Sequence, residues 1–539
     1  MTVPPTYEAC RAGFRWDDVL AALGWTGRAT VNLCETLVDR HADADKIALR
    51  WVGADGATRE LTIGELARAT GRFANFLTAS GIKPGDRVAV VMPRLPETVV
   101  ILLGTWKAGA VYVPIFAGFG ADAIRHRITD SGARLVCTHA GLRDKIAGPF
   151  PRPPMIMTLG GARAGDVEYE DAVRDQSDVA LPVSRARRDP AALIYTSGST
   201  GPAKGVALAT NLVAAIWPSM RYGADLQPSD RFWPTGDPGW GYGLVCYAVA
   251  LAMAVPVTFW EALPTAETAL RFMAEQRITN LATVPTLLRG IMALGAERVR
   301  GFDIAMRRVS SCGEPLNGEV VRFFQTVWDV TPMDQFGSSE QGIPCGNLAA
   351  TTMAVKPGSM GRAMPGHRVT VIDEAGAELA PDQVGLIAVA PEPDGVYALD
   401  YWNPPEGTKS FRRGDWIVTG DLGRRDADGY LWFEGRNDDV IKSAGYRIGP
   451  FEVESAILHH PAVAEAAVVG KPDPLRGQIV KAFVVLKPGE AERDGLADEI
   501  VALVRRLVGA HQYPREIDFV ADLPKTTTGK IQRFRLREG

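Results

Sequence analysis

The sequence predicts an α/β fold: a large N-terminal domain of helix-covered sheets with a small barrel-like subdomain, followed by a small α+β C-terminal domain. Three observations carry this reading. From Asn32 to Trp328 helical periodicity alternates with short apolar runs, the pattern of a parallel sheet covered by helices. From Gly361 the texture turns to short strands separated by turn residues. Around Asp438 a polar, turn-like run ends and a new series of helix, strand, strand and helix begins, of a size that forms a compact unit. The chain therefore divides into residues 1–437 and 438–539. Its 539 residues, 46% of them hydrophobic, suffice for more than one core.

Residues 1–30 bear tryptophan and arginine with little periodicity and are expected to wrap the surface of the domain that begins after them. The periodicity predicts a helix over 61–80, a strand over 87–92, a helix over 95–108 and a strand over 111–115. A second round covers 123–131 (helix) and 135–138 (strand), and the Pro- and Gly-bearing stretch 148–165 reads as a loop. A strand ending near Tyr195 leads into a loop, and a helix is expected over 210–220. The apolar run 243–257 reads as a buried helix and strand, being shorter than a bilayer requires and interrupted by Pro256. Further strands are predicted at 308–313, 369–373, 385–390, 416–420 and 430–434. In the last unit the helices are 450–460 and 496–508, and the strands 463–469 and 480–486.

Composition narrows the function class. A formal net charge of -4 argues against nucleic acid or a polybasic membrane surface as partner. Six cysteines without a Cys-x-x-Cys pair, and seven histidines without zinc spacing, point to a reducing compartment and no structural metal. Charged residues within the first twenty positions leave no apolar core for a signal peptide, so a cytosolic location is expected, with no integral membrane segment.

Chemistry concentrates in Leu193-Ile-Tyr-Thr-Ser-Gly-Ser-Thr-Gly-Pro-Ala-Lys204. Gly198 and Gly201 let backbone N–H groups approach an anion, Thr196, Ser197, Ser199 and Thr200 add hydroxyl donors, and Lys204 supplies a compact positive charge. The Gly-Lys-Ser/Thr ending of a Walker A loop is absent, so another phosphate chemistry is implied. Aromatic and glycine residues at Trp233 to Gly243 suit a pocket wall, or an ordinary core turn. Glu340, in Phe336-Gly-Ser-Ser-Glu340, is expected at or just past a strand end, facing outward.

The phosphate loop resembles the signature loop of the adenylate-forming superfamily: acyl-CoA synthetases, the adenylation domains of peptide synthetases, and luciferases. Phe336-Gly-Ser-Ser-Glu340 is similar to that family's Tyr-Gly-x-Thr-Glu motif, with Phe336 for tyrosine and Ser339 for threonine. The resemblance implies that Glu340 holds magnesium, that Ser339 keeps a hydroxyl for the α-phosphate, and that Asp334, Phe336 and Gly337 border the nucleotide. Val418-Thr-Gly-Asp421 resembles the motif whose carboxylate accepts the ribose hydroxyls, a role suited to an acceptor-only group, although Asp421 alone would also suit a turn cap. By the same resemblance Gly313, Glu314 and Pro315 flank the adenine and Arg436 reaches ribose or phosphate. Ser443 to Gly449, with Gly445 and Arg447, and Pro524 to Lys530 complete the set. Lys530 is implied as the catalytic lysine, since a cation is required where a carboxylate meets the α-phosphate.

The resemblance implies an ATP-dependent acid–thiol ligase that uses magnesium and coenzyme A, forms an acyl-adenylate and releases AMP and pyrophosphate. Its small domain is expected to swing about Asp438. Trp240, Gly241, Gly243 and Gly337 are assigned to the acyl pocket, Gly337 because acetate-specific relatives carry tryptophan there. The expected substrate is a monocarboxylate larger than acetate, a short- to medium-chain fatty acid. The alternatives are an aromatic carboxylate, a carrier protein loaded in place of coenzyme A with Asp237 as partner of an amino group, a luciferase-like oxygenase, and a nucleotide sensor. A monomer or small homo-oligomer fits equally.

Overall fold

The structure, a computed structural model, describes residues 3–196, 203–404, 410–436, 439, 441–443, 446–473, 476–508, 513–525 and 531–538. Two large sheets organise the N-terminal part. In the first, the strands Val111–Pro114, Arg87–Val91, Leu135–His139, Met155–Leu159 and Val167–Glu168 run parallel beside Pro190–Thr196, and Lys204–Ala209 and Ala398–Trp402 add an antiparallel edge. In the second, Met333–Ser338, Arg308–Cys312, Asn280–Thr283, Phe232–Pro234, Val257–Trp260 and Ile47–Val52 are parallel neighbours, closed at each end by antiparallel strands.

Strand alternation explains why each sheet is covered on both faces. Val88 and Val90 join the central core, whereas Ala89 and Val91 face the opposite side with Ile124 and Ile128 of the helix Ala121–Ser131. The second sheet behaves alike: Phe232 and Ala282 point into the central core, and Trp233 and Leu281 into a separate cluster with Phe272 and Phe324. Between the sheets lies the helix Gly241–Ala252, buried from Gly243 to Ala252. An all-round apolar helix is stable only in such a layer.

The segment 148–165, expected as a loop, contains the strand Met155–Leu159, parallel to Leu135–His139. Its Met-Ile-Met-Thr-Leu run extends the hydrophobic sheet, and the prolines just before it had masked the signal. Residues near the N-terminus are not a surface wrap throughout. Trp25 is buried, with its indole N–H donating to Thr36 Oγ1 at 2.8 Å.

The subdomain after Gly361 is an antiparallel sheet of Val369–Ile372, Gly385–Val389, Trp416–Arg425, Arg412–Arg413 and Leu431–Arg436. The C-terminal unit has its own core, with Ile448, Val453, Val468, Val484, Ile500 and Val504 among its members. Its helix Pro450–Ile457 and the residues just after it touch the large unit directly. Asn317 Nδ2 donates to Ser455 Oγ at 3.1 Å, and His459 Nε2 lies 2.6 Å from Glu319.

Glu434 lies near this junction, 3.1 Å from Arg424 Nε, and burial, with the like charge of Glu452 adding to it, pushes its carboxyl up to about 7. The native chain then holds a proton that the unfolded chain releases near pH 4. This contribution is complete below about pH 4 and lost as pH rises through about 7. Glu434→Gln should therefore raise Tm relative to wild type at pH 8 and lose that advantage at pH 5. A Tm difference that does not vary between these pH values would show that Glu434 does not titrate this way.

Candidate active site

The edges of the two large sheets meet where the phosphate loop was expected. The strands Pro190–Thr196 and Lys204–Ala209 form an antiparallel hairpin in which Thr196 faces Lys204. No strand had been predicted over 204–209. Ser197, Gly198, Ser199, Thr200 and Gly201, between the two strands, lie outside the described residues, as do Asp438, Gly445 and Lys530 and the side chain of Arg447. The helix Ala121–Ser131 braces the hairpin: a ring nitrogen of His126 lies 2.9 Å from the Ala203 carbonyl, and Tyr195 Oη donates to Asp130 at 2.7 Å.

Glu340 stands in the turn between Met333–Ser338 and Gly342–Gly346, just past a strand end as expected, with its amide donating to Ser338 Oγ. Tyr401, a residue the sequence reading missed, ties the two sheets together. Its strand pairs with Lys204–Ala209, its hydroxyl donates to Glu340 Oε1 at 3.3 Å, and Lys204 Nζ lies 5.5 Å from the centre of its ring. Burial, reinforced by the Glu340 charge, pushes the phenol up, so it remains a donor. The sequence signal was a tyrosine in the short run Ala398–Trp402, with nothing local to mark it.

Asp421 and Arg436 face each other across adjacent strands, with Arg436 Nη1 3.4 Å from Asp421 Oδ1 and Thr419 Oγ1 donating to Oδ2. Each carboxylate oxygen retains acceptor capacity beyond these bonds. Gly313 follows its strand with φ +99°, a conformation that suits glycine. Glu314 is fixed by Thr286 Oγ1 at 2.8 Å and by Arg289, both on the helix Pro285–Ala293, and Pro315 is half-buried beside it. The arginine is a second residue that sequence reasoning did not find.

On the other side of Glu340, a Cβ built on Gly241 would lie 3.7 Å from Ser339 Oγ and 3.9 Å from both Tyr397 Oη and Ile194. Trp240 precedes this helix and packs with Phe116 and Phe119, ring centroids 5.8 and 5.6 Å away. Asp237 is held by Arg94 Nε at 2.9 Å and by the Gly239 amide at 2.7 Å, with both charged side chains largely buried.

Two glycines expected in the acyl pocket are placed differently. A Cβ at Gly337 would meet the Gly342 carbonyl oxygen at 2.0 Å, so this glycine permits close backbone approach in the hairpin and opens no pocket volume. Gly243 likewise presses on the Asp237 carbonyl, which a Cβ would approach to 2.1 Å. Asp334 is 5% exposed; its Oδ1 meets no partner among the described residues, and burial pushes its pKa up. Backbone hydrogen bonds from Leu316 and Gln335 offset part of that burial. Phe336 is half-buried and packs against the central core.

A two-sheet α/β unit with a phosphate-type hairpin and a paired carboxylate–guanidinium, joined to a small α+β unit, is the architecture of a nucleotide-using ligase. The chain belongs to the adenylate-forming acyl-CoA synthetase superfamily: the AMP-binding enzyme family matches residues 37–393, and the AMP-binding enzyme C-terminal domain matches 452–530. It is similar to the acetyl-coenzyme A synthetase of Bacillus subtilis (strain 168), 36% identical over 546 residues that cover 98% of this chain and 94% of the relative. Among solved structures, an acyl-CoA synthetase from Brucella canis superposes with a TM-score of 0.79 at 40% identity, covering 99% of this chain and 98% of the other. The anthranilate CoA ligase AuaEII in complex with anthranoyl-AMP gives 0.86 at 28% identity, with 95% and 97% covered. The chain is accordingly an AMP-forming carboxylate–CoA ligase that acts on acyl or aryl acids, consistent with the use of ATP and coenzyme A.

The Gly337 geometry generates a prediction opposed to the acyl-pocket expectation. Gly337→Ala should destabilise the fold by about 1–3 kcal/mol, the usual cost of overpacking, and leave the order of preferred acids unchanged. Equilibrium urea denaturation and a carboxylate panel check the two halves separately. A stable variant with a shifted acid preference would restore Gly337 to the pocket.

Proposed function

We propose that this ligase activates a monocarboxylic acid larger than acetate, of short to medium chain length, through a magnesium-dependent acyl-adenylate. The observation that carries the reading is the neutral surface beside Ser339. A Cβ on Gly241 would stand there at ordinary van der Waals distance from Ile194 and Tyr397, and the Asp237 charge is already matched by Arg94. Among the described residues around Gly241 no unmatched charge is left to hold a second carboxylate or a substrate ammonium, which disfavours an amino acid loaded onto a carrier. An aromatic acid is the second reading. The ring cluster of Trp240, Phe116 and Phe119 supports it, as does the likeness to an anthranilate ligase.

In this reading Glu340 would hold a magnesium ion, which would supply positive charge to the ATP phosphates; one or two protein carboxylates plus phosphate is the usual ligand set for that ion. Tyr401 orients the carboxylate by donating to Oε1. Lys204 holds phosphate charge, Asp421 accepts the ribose hydroxyls, and Lys530 brings its cation to the point where carboxylate and α-phosphate meet. A panel of straight-chain and aromatic carboxylates, scored by CoA-dependent AMP release, tests the proposal. A wild-type preference for acetate over butyrate would reject it.

Two substitutions separate the parts. Gly241→Leu should fill the space beside Ser339 and shift preference toward shorter acids by about fourfold for each methylene excluded, at about 0.8 kcal/mol per buried methylene. A uniform loss across the panel would place Gly241 outside the acyl wall. Lys530→Ala should lower acid-dependent pyrophosphate exchange by about two to three orders of magnitude while sparing thioester formation from supplied acyl-adenylate. Equal damage to both half-reactions would remove the lysine from adenylation.

A further inference from the structure

Between the N-terminal helix Tyr7–Gly13 and the antiparallel subdomain lies a cavity of ≈ 290 Å³ whose lining includes Arg11, Arg362, Arg368, Arg425 and Glu378. None of the candidate active-site residues lines it. Arg425 ends the strand on which Asp421 lies four positions earlier, about 13 Å along an extended backbone. Arg362 pairs with Gly346, at the end of the strand Gly342–Gly346 remote from the Glu340 turn.

The four guanidiniums are not equally accounted for by packing. Arg362 stacks on the Tyr7 ring, 3.7 Å from its centre, and bonds Glu8 at 2.8 Å, which explains how the N-terminal helix is held. Arg11 donates to Tyr7 Oη at 3.0 Å, a neutral partner. Arg368 pairs with Glu378, whose other oxygen accepts from Thr370 Oγ1 at 3.0 Å. Among the described residues no carboxylate lies within 4 Å of Arg11 or Arg425. The cavity thus gathers four positive charges against one lining carboxylate, with Glu8 as a second near Arg362. Converging like charges are unfavourable unless an anion joins them.

We propose that this cavity is a second ligand site, for a compact oligophosphate of two or three linked phosphates. Guanidiniums are suited to it because their planar donor pairs match phosphate oxygens two at a time. The volume lies near the lower end of those that hold small ligands. Free oligophosphate and the tail of a nucleotide offer the same chemistry. The site is independent of the ligase reading, since none of its arginines belongs to the active site.

Calorimetric titration of the full chain with sodium tripolyphosphate, and in parallel with ADP, at fixed ionic strength tests the proposal. The double variant Arg368→Gln/Arg425→Gln should weaken one class of binding by about tenfold or more, as expected for loss of charge-assisted hydrogen bonds. Its Tm and its KM for ATP should match wild type, and Arg368→Lys/Arg425→Lys should recover part of the affinity. Loss confined to tripolyphosphate identifies a free oligophosphate site, and loss confined to ADP a nucleotide site. Unchanged binding of both probes in the Gln variant overturns the proposal. An equal loss in Arg163→Gln/Arg174→Gln, two exposed arginines elsewhere, overturns it too, because the effect would then be diffuse charge alone.

Discussion

The contact between Tyr401 and Glu340 is the point on which the arrangement of this site depends. Glu340 belongs to the second sheet, and Tyr401 to the strand that edges the first. This hydroxyl links a candidate metal ligand to the hairpin carrying Lys204. The phenol is half-buried, and burial together with the carboxylate's charge keeps it protonated. At 3.3 Å the contact is longer than a strong charge-assisted bond, so it adds direction to an arrangement that apolar packing holds.

The layered core supplies the stiffness that this bond needs. Valines and alanines alternate along Arg87–Val91 so that both faces of the first sheet are packed, and the apolar helix Gly241–Ala252 fills the space between the sheets. That helix also brings Gly241 against Ser339, so the same element that joins the sheets reaches the residue next to Glu340. Packing and site geometry are here one structure, and a shift of the helix would be felt at Ser339.

Much of this was legible in the chain. The alternation of helical and extended periods reports burial directly, so helix-covered sheets, the change of texture after Gly361 and the separate C-terminal unit could all be read, though not the division of the strands into two sheets. Glu340 past its strand end followed from a short motif, whereas the pairing of Asp421 with Arg436 across adjacent strands did not. Long-range contacts could not be read: Tyr401 and Arg289 act on Glu340 and Glu314 from segments distant in sequence. Gly337 and Gly243 misled for a different reason. A glycine in a sequence marks a missing side chain, but the space it vacates can be taken by solvent, substrate or another backbone. At both positions a carbonyl occupies it, at 2.0 and 2.1 Å from the missing Cβ. At Gly241 side-chain atoms stand off at 3.7 to 3.9 Å, so a methyl group there would make ordinary contacts and displace nothing.

The disposition of charge separates the two sides of the site. On the Gly241 side, Asp237 is matched by Arg94 and by a backbone amide. On the nucleotide side the charged groups keep binding capacity: Glu340 has accepted one hydrogen bond at Oε1, Asp421 has lone pairs left beyond Thr419 and Arg436, and Lys204 has an aromatic ring for its described neighbour. Satisfied charges build a wall, because any further partner would have to displace an existing bond. Partly satisfied ones build a receptor, because an incoming phosphate or hydroxyl completes them. Charge is thus divided between the two flanks of Glu340: it is matched around Asp237, and binding capacity is left at Glu340, Asp421 and Lys204.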